Sequence, residues 1–165
     1  MAGRTDDESN DTRPFSLFLI GVPIAPSCFA QAKEDKRVKQ LENEKRKLDK
    51  TRDPTSRAKS LVKIAEITLS YVSEAANAND FSKMKSFVEQ YRQTVTDSRD
   101  IMMRSGLNPH KKSGDYRAVE IALRKQIRAL QDIARLLTVD ERQPVDETID
   151  VVVKIREEFI HALFG

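Results

Sequence analysis

Tryptophan is absent, histidine occurs twice and cysteine once in 165 residues, and each scarcity closes off a class of chemistry. The lone Cys28 cannot form an intramolecular disulfide, and His110 and His161 have no neighbouring cysteine or histidine at a zinc-binding spacing. Neither a structural metal nor a cofactor is expected. Glycine and proline are sparse, at 5 and 6, and no glycine-rich phosphate loop occurs. No run of alternating β-branched residues marks a strand. The most apolar stretch, residues 15–25, is too short, and too broken by Pro23 and Pro26, to cross a bilayer as a permanent helix.

What remains is a helix-forming composition. Charged residues make up 33% and hydrophobic residues 39%, which fits one domain of amphipathic helices better than a thick globular core. The 29 basic and 26 acidic side chains nearly cancel, leaving +3. The balance is not that of a strongly cationic chain, and nothing in it demands nucleic acid.

Residues 1–30 read as a leader. Phe15 to Ala25 supplies an apolar core, and Cys28 and Ala30 stand at the −3 and −1 positions of a signal-peptidase site, with cleavage before Gln31. The expected location is therefore extracytoplasmic, periplasmic or secreted. The first fourteen residues fit this less well, since Asp6, Asp7, Glu8 and Asp11 outnumber Arg4 and Arg13 where a secretory leader is net positive. A tail whose apolar segment packs on the domain is the alternative. Lipid anchoring at Cys28 is the less favoured variant, because Ala25-Pro26 fits the residues before a lipidated cysteine poorly.

Residues 31–53 form a charged helix with only Val38, Leu41 and Leu48 on its apolar side, either a coiled-coil arm or a mobile leader to the domain. Residues 54–165 form the bundle. Asp53-Pro54 is an N-cap followed by proline at the first helical position, and Ala58, Leu61, Val62, Ala65, Leu69, Val72 and Ala76 give the next helix its buried face. Asn79-Asp80 opens a third helix striped by Phe81, Met84, Val88, Tyr91, Val95 and Met102. Gly106 stops it, and a loop follows to Gly114. Asp115 is a candidate cap for a fourth helix through Tyr116, Val119, Leu123, Ile127, Leu130, Ala134 and Leu137. Thr138 to Glu141 has capping-box form, and Pro144 permits or restarts a fifth helix. Four helices of about 20–24 residues with short links predict an all-α, antiparallel bundle of two stacked hairpins.

Asn79-Asp80-Phe81-Ser82-Lys83-Met84 resembles the turn that opens the second helix of a tetratricopeptide repeat. Met84 stands where a small alanine is usual, and no copy follows at the roughly 34-residue period. The leader, the charged helix, Asp53-Pro54-Thr55-Ser56-Arg57 and the closing Glu157-Glu158-Phe159-Ile160-His161 together resemble small exported all-helical proteins of bacteria. That resemblance implies a location and carries over no functional residue.

No nucleophile with a base, no carboxylate pair in a pocket and no metal cluster is recognisable, so the expectation is a binding or scaffolding module and not an enzyme. His161 sits where an imidazolium meets the end of a helix dipole. Arg117, Arg124, Arg128 and Arg135 are spaced by seven, four and seven, which stacks them along one side of the fourth helix. They are the candidate partner-binding residues, against the plainer reading that they pair with Asp146, Asp150 and Glu157 of the fifth. The expected partner is another envelope protein. The alternative is a cytoplasmic regulator that grips nucleic acid or an acidic protein with the arginine stripe, although no aromatic residues are interleaved there.

Overall fold

Helix formation follows the caps. In a computed structural model that describes the backbone from Cys28 and the side chains from Glu34 to Gly165, five helices succeed one another: α1 (Cys28–Lys50), α2 (Pro54–Asn77), α3 (Phe81–Arg104), α4 (Ser113–Leu136) and α5 (Val139–Phe164). The apolar run at residues 15–25 and the side chains of Cys28 and Ala30 lie outside the described residues. The described chain is an all-α bundle, with no strand among its residues.

At the start of α2, Asp53 accepts from the Ser56 amide at 2.8 Å and from the Thr55 hydroxyl at 2.7 Å, and Pro54 occupies a first-turn position that has no hydrogen bond to lose. Asp80 caps α3 in the same way, accepting from the Lys83 amide at 3.2 Å. The link before it needs one left-handed residue, supplied by Asn79 at φ 55°, a residue type that tolerates that region. Gly106 supplies the other, at φ 67°, just beyond α3.

Two helix ends differ from the sequence expectation. α4 begins at Ser113, so Asp115 is not its cap. Instead it sits in the first turn, where a carboxylate meets the positive end of the helix dipole and pairs with Lys59 of α2. Asn108 organises the preceding loop by accepting from the His110 amide at 2.9 Å. α5 begins at Val139 with a complete capping box between Thr138 and Glu141 and runs straight through Pro144, which neither starts nor restarts it. Lacking an N–H, Pro144 gives up the one backbone hydrogen bond it would make to the carbonyl four residues back.

The two hairpins, α2–α3 and α4–α5, stack so that α2 lies against α4 and α3 against α5, while the backbones of α3 and α4, and likewise of α2 and α5, stay apart across the diagonals, where long side chains such as Tyr91 and Tyr116 make the contacts between α3 and α4. The segment 105–112 thus connects diagonally opposite helices, and α2 and α4 run side by side in the same sense. Ala58, Ala65 and Ala76 of α2 are buried, and their small side chains allow that helix to be packed on several sides. Tyr116 and Phe159 meet edge to face at 5.8 Å between ring centroids, at the end of the α4–α5 contact away from the 137–138 link.

Among the described residues α1 lies against α2 alone and does not stand off as an arm. Its thin apolar stripe leaves Val38 40% exposed, and its seat depends on polar contacts. Arg37 pairs with Glu74 at 2.6 Å and lies over the Tyr71 ring, 4.7 Å from its centroid. At the other end, Arg57 donates to the Leu48 carbonyl at 2.9 Å and the Thr51 carbonyl at 3.2 Å, tying down the link.

A buried polar chain joins three of the helices. The Tyr91 hydroxyl of α3 donates to Gln126 Oε1 of α4 at 3.0 Å, and Gln126 Nε2 donates to the Val62 carbonyl of α2 at 3.0 Å. Burial raises the Tyr91 phenol above its usual range, so it remains a donor at neutral pH.

Tyr91→Phe removes that donor without removing volume and strands a buried amide oxygen. The expected cost is about 1–3 kcal/mol, read as a lower urea midpoint at unchanged slope. Asp53→Ala is expected to cost about 1 kcal/mol. The hydrogen bonds from Ser56 and Thr55 hold the Asp53 carboxyl at about 2, below its ordinary 3.8. The charge-dependent part of its contribution is therefore complete above the ordinary value and lost as pH falls through about 2, so the gap between wild type and Asp53→Ala narrows across that window in acid denaturation.

Candidate functional site

The rotation of α4 about its axis decides what the molecule presents. Val119, Leu123, Gln126, Leu130 and Ile133 are buried, and the two surfaces flanking that face are different in kind.

On the side toward α2, a groove of about 660 Å³ runs between the two helices. Leu69, Ala122, Ala129, Ile133 and Leu136 give it apolar walls, Ala118 and Ile121 extend them, and Gln126 reaches its floor. Glu66 of α2 edges one side, and Lys125 and Asp132 of α4 the other. Leu136, at the mouth, is 63% exposed. Alanine at three of these positions keeps the α4 backbone close to the surface, which lets a second helix approach. Glu66 and Ser70 also border a smaller cleft between α1 and α2, so the two depressions share the α2 ridge.

On the side toward α5, Arg117, Arg124, Arg128 and Arg135 are all exposed and fall within about 40° of one another around the helix. The structure brings these four together as the spacing predicts. It does not form the expected pairing with α5. Arg135 takes Asp132 of its own helix at 2.8 Å, and Asp146 takes Arg142 of its own helix at 2.7 Å. Among the described residues, Arg117, Arg124, Arg128, Asp150 and Glu157 enter no ion pair. The reason is geometric: both rows project outward from neighbouring helices about 8–10 Å apart and lie parallel instead of converging. The cross-helix pairs that do form lie nearer the seams, Arg156 with Glu120 at 2.7 Å and Arg99 with Glu158 at 3.2 Å. Below the arginines a second cleft of about 300 Å³ is lined by Ile121, Ile160 and Phe164.

His110 and His161 are exposed, and neither lines the groove. Among the described residues no group of three or more His, Cys, Asp and Glu side chains is arranged to hold a metal ion. The groups whose protonation the fold clearly shifts are at helix caps, in the α1–α2 contact and at Tyr91. Sequence reasoning missed Gln126, although its signal was present: a polar residue three and four positions from Leu123 and Leu130 lies on the core stripe, and a polar residue there needs partners.

Comparison of the chain with family models, curated proteins and solved structures finds no match. The reading of the site accordingly rests on its geometry and chemistry.

If the groove is surface and not core, Leu136→Ser should change unfolding free energy by no more than about 0.5 kcal/mol. Leu130→Ala, six residues earlier and fully buried, should cost about 2–5 kcal/mol. Paired denaturation curves give both numbers.

Proposed function

We propose that the protein is a non-enzymatic interaction module whose α2–α4 groove receives an amphipathic helix of a partner. The observation that carries this reading is the groove itself: an open, apolar channel with small residues on one wall, an exposed leucine at its mouth and charges of both signs along its edges. Apolar anchors at three- and four-residue spacing would fill it, and flanking polar residues would meet Glu66 and Lys125. A small-molecule site would instead be expected to enclose its ligand and converge several polar groups on it, and here only Gln126 reaches the floor.

The location we propose is extracytoplasmic, supported by the apolar run Phe15 to Ala25 and the small residues Cys28 and Ala30, and the partner is then another envelope protein. The alternative, nucleic acid on the arginine row, draws support from the exposure of Arg117, Arg124 and Arg128. It is the weaker reading because a polyanion laid along α4 would also meet the parallel acidic row of α5.

A photo-crosslinking residue at Ala129 of the full chain, expressed in its native cells, should trap one partner through a helical segment, whereas the same residue at exposed Gln93 should not. Equal crosslinking at both positions would reject the groove as the site. The mass of the native protein tests the location: an amino terminus at Gln31 is expected, and Met1 retained in the cytosol overturns it.

A further inference from the structure

We infer that the outer face of α4 and α5 is a self-complementary surface that pairs with a second copy of this chain about a two-fold axis parallel to the helices. The inference does not depend on the α2–α4 groove, whose centre lies about 100° further around α4 and which shares only Ile121 with this face.

The face is built from two stripes at alternating spacings of four and three. On α4 they are Arg117, Ile121, Arg124, Arg128 and, seven further, Arg135. On α5 they are Asp146, Asp150, Val153, Glu157, Ile160 and Phe164. This is the repeat by which one helix presents a seam to another, yet neither stripe is covered: the arginines, Asp150, Glu157 and Phe164 are exposed, and Ile121, Val153 and Ile160 are half-buried. Phe164 is 72% exposed at one end of the α5 stripe, and Val139, seven residues before Asp146, is 79% exposed at the other. A solitary apolar side chain on a surface needs no explanation; two that bracket a charged seam on one face are better matched to a partner.

Register makes the charges fit. The two-residue link at 137–138 and the Arg156–Glu120 bridge fix α5 antiparallel to α4, so Glu157 lies level with the stretch between Arg117 and Arg124. Asp150 lies level with the stretch between Arg124 and Arg128, and Asp146 with that between Arg128 and Arg135. A two-fold axis along the helices keeps every height and exchanges left for right. It therefore places α4 over the other copy's α5, each carboxylate facing the gap between two arginines, with Ile121, Val153 and Ile160 between the charges. Opposite charges that only lie side by side within one chain come face to face between two, and an interface in which the same patch serves both copies closes at a dimer.

The stripe on α4 is about 27 Å long and the face about two helices wide, giving roughly 500 Å² per copy. That total is near the lower limit for a specific interface, and much of it is charge, so the association should be weak and sensitive to salt.

Charge exchange tests it on the full-length chain. Wild type should sediment as a reversible dimer at low ionic strength and weaken about tenfold or more in high salt. Arg124→Glu with Arg128→Glu, and separately Asp150→Arg with Glu157→Arg, should each be folded by circular dichroism and monomeric. An equimolar mixture of the two variants should recover a one-to-one heterodimer. The inference is overturned by a wild type that stays monomeric at low salt, by either variant remaining dimeric, or by a mixture that fails to associate. Salt-dependent binding of a single-stranded oligonucleotide by monomeric wild type, lost in the arginine variant, would assign the row to nucleic acid instead. Ala129→Trp, which fills the other groove, should leave the dimer intact, so a failed groove and a failed dimer are told apart.

Discussion

The side chain of Gln126 is the point at which three helices have to agree. Its amide joins Tyr91 of α3 to the Val62 carbonyl of α2, and it does so from inside α4, where an unpartnered amide would be expensive. An apolar residue in its place would allow α4 to turn or slide by a fraction of a helical step with little penalty, as apolar contacts are non-directional. Two hydrogen bonds to two different helices remove that freedom. Once the azimuth of α4 is fixed, so is the division of its surface into an apolar groove toward α2 and a basic row toward α5.

Electrostatics on the rest of the molecule sorts by distance from the core. Caps such as Asp53 and Asp80 act within one turn, and Arg37 and Arg57 hold α1 where its hydrophobic stripe is too thin to hold itself. Pairs such as Arg92 with Glu89 and Arg135 with Asp132 are exposed and within one helix, and so contribute little. The bridges between helices, at Lys59, Arg99 and Arg156, sit along the seams and reinforce an arrangement that packing already specifies.

The helices, their caps and their buried faces were legible in the sequence because all three depend on neighbours within a turn or two. Ala58, Leu61, Val62, Ala65, Leu69, Val72 and Ala76 are all buried, as the three-and-four spacing predicts, and the stacked-hairpin bundle follows from matched lengths and short links. The diagonal passage of the chain from α3 to α4 was not legible, since an eight-residue connection can serve either an adjacent or an opposite helix. Asp115 was mistaken for a cap because Ser113 and Gly114 carry loop-like propensities that Lys59, distant in sequence, helps to override. Complementary spacing on α4 and α5 suggested ion pairs, but spacing along a helix does not say in which direction a row points relative to its neighbour. The alignment of the four arginines was legible, whereas their lack of partners within the chain was a tertiary fact. The α2–α4 groove was wholly tertiary, because it belongs to two helices separated by the whole of α3.

The diagonal connection also bears on how the chain assembles. Each hairpin turns on a link of only two or three residues, so either can zip outward from its own turn without waiting for the other. Docking is the one step that must bring distant segments together, and the segment 105–112 both tethers the halves and leaves them free to meet. Gln126 finds its partners only when both halves are in place, so it reports complete assembly: it is satisfied in the native stack, and a half-formed molecule leaves it without its Tyr91 and Val62 contacts.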